Sequence, residues 1–520
     1  MTTSETPRRR GGGEWGPPLT AEEAAPPAID LIAQRRATLA ANAAAGGPSA
    51  PASAAASGSS APASASPPRR GGGEWGPPLT AEEAAPPAID LIAQRRATLA
   101  GSAPAANGPA ASPAASAPLA PAAAAPNGGP RPLEPLVNFD RVREMLRRYG
   151  LDAVVCTIPH NVYYLSGLDS PPLWEFPWYA FAVVPLVGEP ALVLSNLALS
   201  APIEAELWIR DYYPVFRGEL ITYDASALLE SEQRLKTLSE ALAPRRSENA
   251  FVALAKVFRD RALVGKKVGF DDSRVVARLP EQNISPFDAL ELMREVRMVK
   301  TEPEIRALRA AAVANEAAAL EAARSIPTAP TWEDVVRRYK AALALRGGEG
   351  RYLIGGAPHH TGTHQHMFRD YRLQRGEWFM IDALGTLGHY YGDFGRTVSW
   401  GPPSETVLRR YTALRKGFEA GLSLVKPGVA FETIAEAVRE TVRREGLPAF
   451  SVCVPHSVGL EHTDMPRRPG IRVEQNMTMN LDLAYLEAGF GQLHLEDTLL
   501  VRADGPELLT SGQTELIVLA

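Results

Sequence analysis

Four acidic residues in the last third of the chain fall into two pairs, and each pair lies in a segment with the alternation of a β-hairpin. The first pair is Asp382 and Asp393, in the segment 377–401, where two apolar-rich runs flank a glycine-containing turn. Folding at the junction of residues 387 and 388 would set the two carboxylates directly opposite each other, with Cβ atoms roughly 5 Å apart. Because buried carboxylates repel each other and lose hydration, the pair predicts a positive partner, and a metal ion is the usual one.

A simpler interpretation makes Asp382 a residue beside a turn and pairs Asp393 with Arg396. It accounts for Asp393, but it does not explain a carboxylate in the apolar setting Phe-Met-Ile-Asp-Ala-Leu. We therefore place both aspartates in a predicted metal site. Arg396 is kept as a candidate that supports the ligands or contacts substrate.

The second pair is Asp482 and Glu496, which lie at equal distances from Gly489 in two strand-like segments. Two acidic hairpins of the same design predict one site with four carboxylates. His456, in the run Val-Pro-His-Ser-Val-Gly, supplies a candidate nitrogen ligand. Four carboxylates and one imidazole suit manganese, iron, cobalt or zinc, as one ion or as a two-metal site.

The histidines also locate the chemistry, because all nine except His160 lie beyond residue 358. His364 and His366 come just before the first acidic hairpin and are candidate site residues. The alternative for this stretch is a solvated polar loop.

Two further histidines lie close to predicted ligands in the sequence. His462 follows His456 by six positions and is a candidate electrophile or proton carrier, with a surface loop as the alternative. His494 lies two positions before Glu496 on the same strand, so both side chains point to one face. His494 is therefore predicted to orient a carboxylate or to line a polar pocket.

Composition indicates an ordinary globular protein with room for more than one core. Of the 520 residues, 45% are hydrophobic, and the formal net charge is −5. No basic stripe suggests nucleic acid as a partner, and the mild acidity does not indicate a substrate. The two cysteines, Cys156 and Cys453, form no disulfide framework. The N-terminus lacks a signal-peptide core, and no run is long enough to cross a membrane, so a cytoplasmic protein is expected.

The first 132 residues are rich in Ala, Pro, Gly and Ser and predict a disordered extension. Within it, residues 9–40 and 69–100 are identical repeats that each contain a tryptophan and a short amphipathic segment. One interpretation is a duplication without function. The other is a tandem motif that docks a protein partner or a compartment shell, with affinity gained from two copies.

From residue 133 the composition becomes globular. Residues 133–290 predict an α/β domain, with a helix over 137–149, a strand over 152–157 and a hairpin over 180–195. Residues 291–520 form the domain that carries the acidic hairpins. At its start, residues 290–326 predict two helices separated near Thr301, which can cap the second.

These motifs together resemble the creatinase / aminopeptidase P / prolidase family. The resemblance extends from about residue 133 to residue 520. Its most specific parts are Ile-Asp-Ala-Leu-Gly, Pro-His-Ser-Val-Gly-Leu-Glu-His, Asn-Leu-Asp-Leu and Leu-His-Leu-Glu-Asp, in family order. The resemblance implies an α+β pita-bread catalytic domain behind the α/β domain, and often a homodimer. It places the family's metal ligands on Asp382, Asp393, His456, Asp482 and Glu496.

The resemblance also implies a function: a metal-dependent hydrolase of a C–N bond, most simply a dipeptidase or aminopeptidase acting on Xaa-Pro peptides. Manganese is the first choice of metal, with cobalt, zinc and iron as alternatives. Glu496 or Asp482 would relay the proton of the attacking water. His462 and His364, with His366 as an alternative to His364, would stabilise the oxyanion.

The sequence departs from the family pattern around the ligands. The departures are Pro455 and Ser457 in place of glycines, Thr463 in place of an acidic residue, Asp482 in place of Glu and His494 in place of Arg. They leave two alternatives open. One is an enzyme of the same fold acting on a small non-peptide metabolite, by creatine hydrolysis, ectoine ring opening or dimethylsulfoniopropionate cleavage. The other is a catalytically inactive binding protein.

Overall fold

The computed structural model describes residues 131–216, 228–279, 283–358 and 370–520. The extension with both repeats therefore lies outside the described residues, apart from its last two positions. His364 and His366 also lie outside them. Each helix in the described ranges is either too short or too polar to cross a bilayer.

The described chain alternates helices and strands in its first part and has long hairpins in its second. The helices are α1 Phe139–Tyr149, α2 Pro159–Ser166, α3 Pro171–Glu175, α4 Ala201–Glu204, α5 Glu230–Leu242, α6 Ala250–Asp260, α7 Leu290–Met298, α8 Glu302–Arg324, α9 Trp332–Ala344, α10 Glu405–Leu424 and α11 Phe431–Arg444. The strands are β1 Arg131–Pro132, β2 Ala153–Cys156, β3 Ala180–Pro185, β4 Ala191–Ser195, β5 Ala205–Glu206, β6 Tyr212–Val215, β7 Lys267–Phe270, β8 Ser285–Asp288, β9 Glu349–Gly356, β10 Trp378–Leu387, β11 Tyr390–Trp400, β12 Thr478–Glu487, β13 Gly491–Arg502, β14 Gly505–Leu508 and β15 Ile517–Leu519.

The first domain is built on a six-stranded sheet with the order β6-β4-β3-β2-β7-β8. β2, β3 and β4 are antiparallel neighbours, whereas β2–β7, β7–β8 and β4–β6 pair in parallel. The inner strands are buried throughout, as expected for a sheet covered on both faces. The predicted α/β domain and its hairpin are confirmed.

The second domain is built on a seven-stranded sheet, in which β12-β13-β11-β10-β9 lie side by side. β14 adds to β13, and β15 pairs in parallel with β11. Helix α8 packs on β10 and β11, α9 packs on β9, and α10 packs on β12 and β13. This arrangement confirms the predicted α+β domain. The four acidic residues of the predicted site lie within strands β10, β11, β12 and β13.

The start of α8 confirms the predicted helix boundary. The Thr301 side chain accepts a hydrogen bond from the Glu304 amide, and the Glu304 carboxylate accepts one from the Thr301 amide at 2.9 Å, which is a capping box. Tyr390 of β11 also donates to Glu304, at 3.1 Å. The cap therefore ties the helix to the first acidic hairpin.

The predicted register of the first acidic hairpin is wrong by two residues. Asp382 lies opposite Gly395, and Asp393 lies opposite Leu384, so the two aspartates are diagonal neighbours on one face. The turn consists of Gly388 and His389, with φ of 57° and 70°, the φ signs of a type I′ hairpin turn. A two-residue turn there moves the hairpin axis by one position from the predicted junction. In the second hairpin, Asp482 does lie directly opposite Glu496, as predicted.

Candidate metal centre

Three buried carboxylates meet where the two hairpins adjoin in the sheet. Asp382 on β10, Asp393 on β11 and Glu496 on β13 are 8%, 2% and 2% exposed. β11 and β13 pair at Gly395 and Glu496, which brings the second hairpin against the first. One oxygen from each of the three carboxylates lies within 4.8 Å of the other two. The structure thus gathers acidic residues from both predicted hairpins into one cluster.

The imidazole of His456 faces this cluster from the loop before β12. Its Nε2 lies 3.7 Å from Asp393 Oδ2 and 3.7 Å from Glu496 Oε1. The His456 backbone is fixed, because its amide donates to the Asn480 carbonyl at 3.1 Å and its carbonyl accepts from the Asn480 amide at 2.6 Å. Its Nδ1 is buried and has no hydrogen-bond partner among the described residues.

His462 lies on the open side of the cluster. Its Nε2 is 3.0 Å from Asp393 Oδ2, and its side chain is 41% exposed. Burial alone would lower the pKa of His462, but the hydrogen bond with Asp393 and the charge of that carboxylate raise it. His462 therefore lies where solvent or a ligand can reach it.

Asp482 completes the acidic set and contacts His494. His494 Nε2 lies 2.9 Å from Asp482 Oδ1, and its Nδ1 lies 3.2 Å from the Ile381 carbonyl oxygen. Burial would lower the pKa of His494, but the hydrogen bond and charge of Asp482 raise it to about 9. The imidazolium thus balances part of the negative charge of the cluster, in line with its predicted orienting role.

Gly395 makes room for that imidazole. A Cβ on Gly395 would lie 2.3 Å from His494 Cε1 and 2.9 Å from Glu496 Cβ, distances that no side chain tolerates. The glycine opposite Asp382 is therefore required by the close approach of β13.

The electrostatics of the cluster fit a bound cation. Burial, followed by the charges of Asp393, Asp482 and Asp382, raises the pKa of Glu496 well above its usual range. Burial is also the main cause of the raised pKa of Asp393, with Asp382 adding to it and His462 opposing it. A divalent cation would offset this repulsion, and carboxylate oxygens with one imidazole are a donor set for a transition metal. The residues that could hold it are Asp382, Asp393, His456, Asp482 and Glu496.

Neutral side chains fix the carboxylates from behind. Asn480 Nδ2 donates to Glu496 Oε1 at 2.9 Å, and Thr498 Oγ1 donates to the Asp393 carbonyl at 3.0 Å. Asn315 of α8 donates to the carbonyl of Ala383, next to Asp382, at 2.7 Å. Such contacts hold ligands in place and are the supporting part of a metal site.

Arg396 lies on the face of the sheet opposite the aspartates, where it is 1% exposed. It donates to both oxygens of Asp497, at 2.8 and 2.9 Å, and to the carbonyls of Gly395 and Glu496, each at 2.7 Å. Its contacts therefore fix the backbone at Gly395 and Glu496, and its ion pair is with Asp497, not with Asp393 as the simpler interpretation predicted.

Tyr352 is a site residue that the sequence analysis missed. It lies on β9 opposite Leu384, and its ring is 6.4 Å from that of His462. Burial, followed by the charges of Asp382 and Asp393, raises its pKa, so the phenol stays a donor. The pairing of β9 with β10 was the signal that could have found it, since that pairing places one face of β9 beside the acidic hairpin.

Comparison with known proteins matches both domains. Residues 139–311 match the creatinase/prolidase N-terminal domain, and residues 306–503 match metallopeptidase family M24. The two matches overlap at residues 306–311 and follow the order of the two domains described above. The chain belongs to the creatinase, aminopeptidase P and prolidase family. As a member of that family it is a metallohydrolase of amide bonds.

The chain matches its relatives in this family over nearly their whole length. A probable dipeptidase PepE from Mycobacterium bovis is 28% identical over 378 residues, which are 71% of this chain and 92% of that protein. A Xaa-Pro dipeptidase from Pyrococcus horikoshii is 22% identical over 384 residues, or 72% and 97%. The solved structure of a Xaa-Pro dipeptidase from Bacillus anthracis matches with a TM-score of 0.58 at 17% identity, covering 73% of this chain and 99% of that one. At that identity the structural likeness establishes the pita-bread fold.

Proposed function

We propose that the protein is a dipeptidase that hydrolyses Xaa-Pro peptide bonds. The observation that carries the proposal is the buried cluster of Asp382, Asp393 and Glu496 with the imidazole of His456 beside it. The names of the dipeptidase and Xaa-Pro dipeptidase relatives support the choice of a short peptide as substrate.

The proposed activity includes a bound divalent cation, because the residues of the cluster are suited to hold one. Asp382, Asp393, His456, Asp482 and Glu496 would hold one or two divalent ions, with manganese as the first choice. When bound, such an ion supplies Lewis acidity, which polarises an amide carbonyl and lowers the pKa of water.

The remaining steps fall to the side chains of the chain itself. Glu496, which is buried beside the other carboxylates, accepts the proton of the attacking water and passes it to the leaving nitrogen. His462 donates a hydrogen bond to the oxyanion from its reachable position, with Tyr352 beside it as a second donor. His364, with His366 as the alternative, is proposed as a further oxyanion donor on the strength of the family resemblance alone.

The test of this proposal begins with elemental analysis of the purified full-length protein. The metal is then removed, and manganese, cobalt, zinc and iron are added back one at a time before assay on a panel of Xaa-Pro dipeptides. We expect cleavage that depends on added metal and is strongest with manganese. Dipeptides with the proline replaced by alanine are the matched control substrates. Full activity without metal, or no cleavage of any dipeptide by the loaded protein, would refute the proposal and leave the metabolite and binding-protein alternatives.

We further propose that the repeats at residues 9–40 and 69–100 dock a protein partner or a compartment shell. Their identity over a whole non-repetitive unit supports this, and two copies on one chain raise the effective concentration of the second contact. The family resemblance also supports a homodimer. A synthetic peptide of residues 9–40 should capture a specific protein that a scrambled peptide does not. Equal capture by both peptides would refute the docking role.

A further inference from the structure

A cluster of buried charges lies in the second domain directly beside His462 and contacts the first domain through Asn161. We call it the interdomain cluster, and it consists of Arg294, Arg297, Lys300, Glu461 and Asp464. The three cations lie on α7 or just after it. The two carboxylates lie on either side of His462 in the segment 457–464, which we call the catalytic loop. Arg297 is 0% exposed and Asp464 is 0% exposed, so the centre of the cluster is sealed from solvent.

Each carboxylate of the cluster is held by two cations. Asp464 accepts from Arg297 Nε at 3.0 Å and from Lys300 Nζ at 2.8 Å. Glu461 accepts from Arg294 at 2.8 and 3.1 Å, and it also accepts a hydrogen bond from Arg297. Arg297 is thus the residue that both carboxylates share. Paired charges in a buried site have few alternative arrangements, because any rearrangement leaves a charge without compensation.

The first domain forms the far end of the same chain of contacts. Arg297 also donates to the side-chain oxygen of Asn161, on α2, and the Asn161 amide nitrogen donates to Asp271 Oδ2 at 2.9 Å. Asp271, just after β7, accepts in addition from the amides of Thr157 and Ile158, at 2.9 and 3.0 Å. The position of Arg297 is therefore set by the first domain as well as by the catalytic loop.

The catalytic loop is shaped to fit the cluster. A Cβ on Gly459 would lie 1.9 Å from Asp464 Oδ2 and 2.5 Å from Lys300 Nζ, so this position has room only for glycine. The Gly459 carbonyl accepts from the Tyr391 amide of β11 at 2.9 Å, and the Asp464 amide donates to the Ser457 carbonyl at 2.8 Å. Between these fixed points, Glu461 is the anchor next to His462.

We infer that the interdomain cluster positions His462, with Arg297 as the positioning residue that links the first domain to the reaction centre. His462 is held 3.0 Å from Asp393 although its side chain is 41% exposed. Its ring lies near those of His456 and Tyr391, and the ion pairs of Glu461 and Asp464 hold the backbone on both sides of it. The consequence for catalysis rests on the proposed function, in which His462 stabilises the oxyanion.

The test compares three variants of the full-length protein labelled with 13C at histidine Cε1. Glu461→Gln removes the charge of the anchor, and Asn161→Ser removes the first-domain contact while leaving the loop unchanged. Arg141→Gln is the matched control, because Arg141 also bridges the domains, to the Glu295 carbonyl and to Glu474, but touches no residue of the cluster. The resonance of His462 is assigned by its loss in His462→Gln, and thermal unfolding confirms that each variant is folded.

We expect the His462 resonance to move in Glu461→Gln and in Asn161→Ser and to stay in place in Arg141→Gln. With a dipeptide that the protein cleaves, Glu461→Gln and Asn161→Ser should each lower kcat by roughly 10- to 100-fold with little change in KM. The reason is that a small misplacement of a catalytic group lowers the rate strongly. In a His462→Ala background, Glu461→Gln should lower kcat little further, because the residue that it positions is already absent. A general loss of structure would instead lower kcat further in the double variant.

If the His462 resonance moves neither in folded Glu461→Gln nor in folded Asn161→Ser, the inference is wrong. If it moves only in Glu461→Gln, the claim that the first domain helps to position His462 is wrong. If the loaded protein cleaves no dipeptide, the proposed function fails, but the resonances still decide whether the cluster positions His462.

Discussion

At the scale of single residues, the candidate metal centre consists of carboxylates whose negative charges repel one another. Asp382, Asp393 and Glu496 are buried, and burial, followed by the charges of neighbouring carboxylates, raises the pKa of Asp393 and of Glu496. A cation converts that repulsion into attraction. Loss of one carboxylate should therefore weaken metal binding without weakening the metal-free fold.

Asp393→Ala tests this directly. We expect the variant to lose its metal and to lose more than about 100-fold in activity, since even supporting contacts of a metal site are worth 10- to 100-fold. In metal-free buffer it should unfold at a temperature no lower than the metal-free parent, because one repelling charge is gone. Elemental analysis and thermal unfolding measure the two effects. Asp211→Ala, which removes a first-domain carboxylate outside the cluster, is the control, and normal metal content in Asp393→Ala would refute the ligand assignment.

At the scale of elements, the site depends on how closely the two hairpins approach. The strands, the cap at Thr301 and the direct pairing of Asp482 with Glu496 could all be predicted from local pattern. The register of the first hairpin could not. Its turn includes His389 at positive φ, and that imidazole contacts Asp169 at 3.0 Å and stacks on Trp174 of the first domain at 4.0 Å. A long-range contact therefore accompanies a turn that the local sequence does not specify.

The roles of Tyr352 and of Arg297 escaped prediction for the same reason. Each acts on the site through residues distant in the sequence: Tyr352 by the pairing of β9 with β10, and Arg297 by contacts with a loop more than a hundred residues away. Spacing within a motif carries no information about such neighbours. The residues of the candidate metal centre could be predicted because they occur in four short motifs with a family resemblance.

Gly395→Ala tests the close approach of the hairpins. The added methyl group would overlap the ring of His494 and crowd Glu496, so β13 must move away from β11. We expect a loss of about 1 to 3 kcal/mol in the free energy of unfolding, as for other overpacked interiors, together with weaker metal binding. Denaturant unfolding and metal titration by calorimetry measure both. Unchanged affinity for metal in a folded variant would show that the contact of Gly395 with β13 is not needed.

At the scale of the whole molecule, buried acids couple the domain contacts to pH. Glu304 is fully buried at the start of α8, where it faces Tyr390, Tyr164, Lys300 and Asp464, and burial raises its pKa to about 7. The unfolded chain releases that proton near the ordinary value of 4.5. Between these two values the folded state holds a proton that the unfolded state has lost. The resulting stability is present at low pH and disappears as the pH rises through about 7.

Glu304→Gln should remove this dependence. The free energy of unfolding of the parent should fall, relative to the variant, by roughly 3 kcal/mol as the pH rises from about 4.5 to about 7. His160, whose pKa burial lowers to about 4, gives a slope of opposite sign, but it is present in both proteins and cancels in the difference. Urea unfolding at several pH values measures the two curves. Parallel curves would mean that Glu304 stays charged in the folded protein.

The extension and the catalytic unit are expected to be energetically independent, because every residue placed in the cluster or in the interdomain cluster lies beyond residue 160. Deletion of residues 1–130 keeps β1, which pairs with β5, and removes both repeats. The deleted protein should retain the kcat, KM and metal content of the full chain and should lose only the capture of a partner or shell. Steady-state kinetics on a cleaved dipeptide and elemental analysis compare the two proteins.

A full-length chain with both repeats scrambled is the control that separates the effect of the repeat sequence from the effect of the length of the extension. A large fall in turnover after the deletion would show that the extension reaches the site, and the assignment of the repeats to docking alone would then be wrong.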